Sequence, residues 1–464
     1  MKKKYDFLIV GSGPAGMLSA FLLSKKYKVC LIERGGYSKS ELFKSENSFL
    51  NLYDKITPVV SQNIFGFGQA SCFGGGSVIN GALIWDLPDH TKKRWRKELG
   101  DDFVEKISGN YKKVTQLLGV KNSSILNTDF NFDSQLLFRG CQDLKIKCVT
   151  VPRALKKCDH LNNCGFGCNN KNSVDVIFQE EIIRNGGEIV TNRGIKEILW
   201  SGGRAHGVVC NENILFNAEN IIISAGAINS NALLRNSKIT KSSFIQFHLN
   251  LKILAIHKNV INSSKGTMFT HQVQEYINDG ILFMPTNYNK KSFLTSVLHL
   301  SREDRVKVMN DYKKGALYVS QVQPEAVGKI YYILGKPYIK YFLNKSDRVK
   351  ITKSVFLLVN ILKKCGFIKI ILPSMSCNRI YDINSLSEIF INEILDWEML
   401  SVHSMAANRI GVDLKTSICD PSGRVHGFTN LFVNDSSSLP SSTGESPQGV
   451  IMSNAMRIID ESFP

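Results

Sequence analysis

The tightest constraint on this chain lies near its start, where an apolar strand, Phe7 to Val10, runs straight into Gly11-Ser12-Gly13-Pro14-Ala15-Gly16. A helix follows, then a second apolar run, Val29 to Ile32, closed by Glu33-Arg34. Gly11 permits the tight turn, Gly13 lets bare backbone approach a pyrophosphate, and Gly16 lets the helix sit close to its strand. Phosphate charge then faces a helix N-terminus, where free N–H groups and the dipole favour an anion. Glu33, at the end of the second strand, is placed to accept hydrogen bonds from ribose hydroxyls. A glycine loop alone is weak evidence, since such loops recur for conformational reasons. Here strand, helix and acid agree on a βαβ dinucleotide site, without deciding between FAD and NAD.

A second glycine loop, Phe73-Gly74-Gly75-Gly76-Ser77-Val78-Ile79-Asn80-Gly81, is too distant to share the first turn. Its bare N–H groups and the Asn80 amide suit a cradle for another part of a long cofactor. That second grip is what a flavin dinucleotide needs. Near the other end, Asn430-Leu431-Phe432-Val433-Asn434 reads as an apolar strand ending in Asp435, and Ser446-Pro447, followed by Gln448, opens a helix from about Val450 to Ile459. Asp435 can meet a ribityl hydroxyl, and the helix N-terminus can face the flavin pyrimidine edge and stabilise negative charge there.

With 464 residues and 43% hydrophobic composition, two domains are expected. Because the cofactor motifs lie near both ends, one domain must be assembled from separated stretches. The formal net charge of +18 is dispersed among acids, which disfavours nucleic acid as a partner. The Met-Lys-Lys-Lys opening imitates a signal peptide, but its apolar run stops after about four residues, short of the h-region minimum of about 7. No run approaches the roughly 18 apolar residues of a spanning helix. Eleven scattered cysteines without a secretory signal point to reduced thiols and a cytoplasmic location.

These motifs resemble the glucose-methanol-choline (GMC) family of alcohol-oxidising flavoenzymes. Cys164-Gly165-Phe166-Gly167-Cys168 followed by Lys171-Asn172-Ser173 is similar to a segment of the bacterial cholesterol oxidase and long-chain alcohol oxidase branch. Ile221 to Ser230, including Ala225 and Gly226, is similar to the family's returning strand. The resemblance implies an α/β plus α+β fold. A discontinuous Rossmann-type FAD domain would comprise 1–85, 175–240 and 400–464. A substrate domain on an antiparallel sheet would comprise 86–174 and 241–399. Leu251 to His257, Gly280 to Met284 and Ala316 to Val322 fit strands of that sheet by their β-branched and aromatic content. Ile195 matches the position whose backbone meets the adenine. The triple-glycine loop has no histidine for covalent attachment, so FAD is expected to be non-covalent.

The implied reaction is oxidation of a small-molecule alcohol (sugar, sterol-like or lipid-like), with electrons passing on to an acceptor that the resemblance leaves open. His403 matches the family's proton acceptor, and a near-neutral imidazole suits that task. Ser446 replaces the usual asparagine or histidine; its hydroxyl can orient the alcohol but cannot be a second base. The alternatives are a lyase-type flavoprotein of the same fold, or a degenerate FAD-binding protein. Cys158, Cys164 and Cys168 match no usual zinc or iron-sulfur spacing, so no metal is expected and a structural loop is favoured. Between Tyr331 and Pro373 lysines alternate with apolar residues, and Val355, Leu358, Val359 and Leu362 fall at helical spacing. An ordinary amphipathic helix with a solvated basic face is favoured over peripheral contact with an anionic membrane.

Overall fold

The computed structural model describes residues 4–37, 52–54, 57–122, 132–160, 162, 164–241, 244–376, 378–385 and 396–464, so the opening Met1 to Lys3 lies outside it. Strand Lys4–Val10 holds the middle of a seven-stranded sheet. Its residues Leu8, Ile9 and Val10 are all buried, as expected where helices cover both faces of a parallel sheet. Parallel neighbours flank it: Val29–Ile32 on one side and Leu215–Ile223 on the other. The latter is a shared strand. Its first half pairs antiparallel with Arg204–Cys210, while its end pairs parallel with Leu431–Val433.

The carboxyl ends of three parallel strands therefore stand side by side, opening into loops at Gly11, Ser224 and Asn434. Ligands of open α/β sheets bind outside such ends. The loops approach so closely that side chains are excluded. A Cβ on Gly11 (φ +104°) would lie 2.3 Å from the Ser224 carbonyl oxygen, and one on Gly16 would lie 2.0 Å from the Gly11 oxygen.

Helix Pro14–Ser24 covers the sheet together with Val174–Arg184 and Gln448–Ser462. Helices Asp89–Leu99 and Asp101–Leu117 also belong to this core. Trp95, Phe103, Val104, Ile107 and Val114 share its cluster with Leu8 and Ile9. Residues from 86 onward, expected in the substrate domain, here include Asp101–Leu117, which packs on Gln448–Ser462, and Asp89–Leu99, which packs on Asp101–Leu117.

The second sheet has nine strands, built on Leu249–His257, Gly315–Val322 and Ile281–Pro285 in antiparallel order. These are the three strands expected for the substrate domain, each with slightly shifted ends. Helix Lys345–Lys364 backs the sheet, burying Val355, Leu358, Val359 and Leu362 while Lys353, Lys363 and Lys364 stay exposed. The sheet is continuous with the candidate site. Met399–Ser401 pairs with it at Leu400 opposite Asn250, and Ser404–Met405 pairs with Phe244–Phe247, so His403 is held between two strand pairings.

Because the Gly16 contact is backbone to backbone, it cannot be relieved by a rotamer. Gly16→Ala is expected to destabilise the protein by about 1–3 kcal/mol or more, read as a lower melting temperature. An unchanged melting temperature would refute the close approach.

Candidate active site

A cavity of 660 Å³ runs between the two sheets. One end is walled by Glu33, Arg34 and Ile195, the middle by the glycine loops, and the far end by His403, Ser446 and the face of strand Leu249–His257. Of the cofactor residues expected from sequence, Gly11, Gly13, Pro14, Ala15, Gly75, Gly76, Asn80, Gly81, Ala225, Gly226, Asp435, Pro447 and Gln448 also line it. Gly16, Gly74, Ser77 and Asn434 do not. Gly16 packs on Gly11, and a Cβ on Gly74 would strike Val78 and Asp175 at 2.7 and 2.8 Å. Ser77 Oγ caps the Gly74 carbonyl, and the Asn434 amide donates to Ser19 Oγ and the Ala455 carbonyl. These four shape the wall from behind.

The cavity fits an anionic dinucleotide. A Cβ on Gly13, Gly76 or Gly226 would meet no protein atom within 4 Å, so each lines open space. Helices Pro14–Ser24, Ala227–Asn236 and Gln448–Ser462 begin at the cavity with no side chain capping their first N–H groups. Glu33 accepts from Ser12 N, Ser12 Oγ and Gly35 N, which leaves its carboxylate roughly one of about four acceptor positions for a ribose. Arg34 turns outward to Asp54.

Beneath the second glycine loop lie two buried cations. Lys171 donates to the carbonyls of Val78, Asn80 and Cys164, and Arg153 donates to those of Gly81 and Met268 and to Cys164 Sγ. They occupy the loop's carbonyls from below. Burial lowers Lys171 to about 8. The Cys-Gly-Phe-Gly-Cys run is thus wall: Gly165 lines the cavity and its carbonyl accepts from Tyr53. Among the described residues, no three His, Cys, Asp or Glu side chains gather as a metal site.

Asp435 is more committed than expected. Its carboxylate accepts from Gly226 N, Ser230 Oγ, Ser437 N and Ser437 Oγ. Those four bonds fill its acceptor capacity, so a ribityl hydroxyl finds no free lone pair there. Its work is to tie two strand-end loops together.

At the far end, His403 is half-buried and its Nδ1 lies 3.2 Å from Nδ1 of His248. His248 is fully buried, and its Nε2 accepts from the Gly444 N–H at 2.9 Å. That backbone donor orders both rings. Neutral His248 must carry its proton on Nδ1 and donate it to His403, so neutral His403 carries its own proton on Nε2. Burial lowers His403 to about 4 and His248 well below the usual imidazole range. Just beyond, Ala406 holds a left-handed backbone (φ 62°) that costs an L-residue about 1–2 kcal/mol.

The segment before Ser446 is clamped: Gln246 accepts from Ser442 N, Gln323 and Arg94 donate to the Ser442 carbonyl, and Thr91 donates to that of Thr443. Glu445 is buried, accepts from Ser446 N and Gln272, and is raised by burial to about 7.

Sequence reasoning missed His248 and its neighbours, though a signal was there. Gln246, His248, Asn250 and Lys252 alternate strictly with Ile245, Phe247, Leu249, Leu251 and Ile253, which puts four polar groups on one strand face.

A family model described as GMC oxidoreductase matches residues 5–259, and its C-terminal counterpart matches 324–455. The chain is similar to the uncharacterised GMC-type oxidoreductase y4nJ of Sinorhizobium fredii, 24% identical over 489 residues, covering 99% of this chain and 94% of that one. It is also similar to the long-chain-alcohol oxidase FAO3 of Arabidopsis thaliana, 25% identical, with 97% and 67% covered. Pyridoxine 4-oxidase from Mesorbium loti superposes with a TM-score of 0.75 at 15% identity, with 98% of each chain covered. Formate oxidase of Aspergillus oryzae, studied for FAD modification, superposes at 0.71 with 13% identity, with 99% and 98% covered. Among the described residues no helix is long and apolar enough to cross a membrane.

The space above Gly13 separates binding from folding. Gly13→Val is expected to yield folded protein with the wild-type far-UV spectrum but without flavin; a fully yellow variant would place the pyrophosphate elsewhere. Asp435→Ala, by contrast, orphans two backbone N–H groups and is expected to destabilise the fold by about 2 kcal/mol or more. A pure loss of flavin affinity without a fall in melting temperature would restore the ribityl role.

Glu445 binds more protons folded, at about 7, than unfolded, at 4.5, so its contribution to stability falls as pH rises through that window. Glu445→Gln is therefore expected to flatten the decline in melting temperature between those values. Parallel curves for the two proteins would contradict it.

Proposed function

The chain belongs to the GMC oxidoreductase family, and from that premise we propose that it is an FAD-dependent enzyme oxidising a primary or secondary alcohol to a carbonyl compound. The observation carrying this reading is the single cavity that joins the glycine loops to a histidine pair and a serine. FAD, held non-covalently, supplies the hydride acceptor. The loop from Phe73 to Gly81 contains no histidine to attach it.

The alcohol oxygen is placed between His403 and Ser446. Ser446 Oγ accepts the hydroxyl hydrogen and orients it. With the imidazole pair ordered in this way, His403 is read as a donor to the alcohol oxygen in place of the proton acceptor expected from sequence. Its Nε2–H donates to the oxygen and stabilises negative charge there as the hydride leaves carbon, while the hydroxyl proton passes to Ser446 Oγ and that hydroxyl's own proton passes to a base in solvent. To accept that proton at Nε2, both rings would have to exchange tautomers, setting a His248 Nε2–H against the Gly444 N–H. The backbone of Gly444 opposes that exchange.

Anaerobic bleaching of bound flavin by a panel of alcohols tests the activity. His403→Ala is expected to keep FAD and lose about 100-fold or more in flavin reduction, the range for removing one such donor. His403→Gln, which retains an N–H donor, is expected to lose less than about tenfold. Equal losses would return His403 to the role of base. Because His403 is held near 4, the wild-type rate is expected to have no step at the ordinary imidazole value of 6.5.

A further inference from the structure

The face of strand Leu249–His257 that looks into the cavity carries an unusual set of groups. Asn250 and Gln321 stand opposite each other in the antiparallel register and are 8% and 4% exposed. Both line the cavity, and neither side chain has a protein hydrogen bond among the described residues. Two residues beyond Asn250, Lys252 lines the same cavity with no ion pair among the described residues. The acid it feels most, Glu398, is exposed and lies beyond salt-bridge range. Around this strip the wall is apolar, formed by Leu83, Met284 and Val319 of one cluster.

Burying polar groups without partners is costly, and an unpaired ammonium is costlier still. A cavity that keeps one cation and two amides together, within an apolar wall, is complementary to a ligand that brings an anion. We propose, resting on the alcohol-oxidation reading, that the substrate is an alcohol carrying an anionic group, a carboxylate or a phosphate, which Lys252 binds with Asn250 and Gln321 as hydrogen-bonding partners. The strand sets the distance. His248, which orders His403, precedes Lys252 by four residues of extended chain, about 13 Å. Hydroxyl and anion therefore occupy opposite ends of a molecule several bonds long, with the Asn250 and Gln321 amides between them and Val319 and Met284 beside Lys252. The chain's net charge of +18 favours the approach of such a ligand.

The test is calorimetric titration of the holoenzyme with hexanoate, hexyl phosphate and hexanamide. At least one anion is expected to bind ten or more times as tightly as the amide, and whichever anion it is identifies the head group. Lys252→Met is expected to abolish that preference and Lys252→Arg to preserve most of it, each with normal flavin content. Equal binding of acid, phosphate and amide by the wild type, or an anion preference that survives in Lys252→Met, would overturn the proposal. Titration with 6-hydroxyhexanoate separates the two readings. Lys252-dependent binding that leaves the flavin oxidised would uphold the anion site and sink the alcohol reading. Bleaching by hexanol and 6-hydroxyhexanoate alike, with no dependence on Lys252, would do the reverse.

Discussion

Two bare stretches of backbone touch at the centre of this molecule. A Cβ on Gly75 (φ +54°) would lie 2.8 Å from the Cα of Gly13, so the second glycine loop cannot come this close to the first with a side chain at Gly75. The contact is reinforced by the Gly74 N–H donating to Ser12 Oγ, which itself donates to Glu33. Everything that makes a continuous cavity follows from that approach. It aligns the start of helix Pro14–Ser24 with the second loop, and it requires the carbonyls of the second loop to face away. Lys171 and Arg153 take those carbonyls from behind. Their positive charge, buried beneath the loop, adds to the field of the helix starts on the same side of the cavity.

The parts of this arrangement that were legible in the sequence are those with a backbone signature. Gly11 and Gly16 announce a strand, a turn and a helix because only glycine satisfies such contacts, Gly13 leaves open the space above the loop, and Val29–Ile32 appears with the same ends in the fold. Positions acting through side-chain chemistry were harder. Asp435 was recognised as important, but nothing in Val433-Asn434-Asp435 reveals that Gly226, Ser230 and Ser437 would saturate its carboxylate. Likewise, Gly74 and Ser77 read as cradle residues, yet the loop's curvature turns them toward Asp175 and Val174.

The run from Ile245 to Ile253 joins strand Phe244–Phe247 to strand Leu249–His257 through His248. Its alternation is that of an ordinary half-solvated strand, apolar inside and polar outside. Both faces are in fact enclosed, since His248, Asn250 and Gln321 are all buried. Polar groups enclosed in this way must answer to something other than water. Gln246 and His248 answer to the backbone of Ser442 and Gly444, whereas Asn250 and Lys252 answer to the cavity. One alternating run thus serves first as a clamp, where one strand gives way to the next, and then as a ligand wall. Periodicity alone cannot separate that use from solvation; only the second layer of structure distinguishes them.

The shared strand Leu215–Ile223 has a consequence for how the chain comes into being. Its far edge is covered by Leu431–Val433, and Asn434 bonds Ser19 across 415 residues. A ribosome working at about 5–20 residues per second delivers the first βαβ unit tens of seconds before the strand and helix that close over it. Throughout that interval the apolar flank of helix Pro14–Ser24 and one side of the central sheet have no permanent cover. The nascent chain therefore cannot secure its halves in succession. It must hold a loosely sheltered half-domain until the C-terminal block emerges, and the apolar flank awaiting helix Gln448–Ser462 is the surface most open to misassembly in that interval.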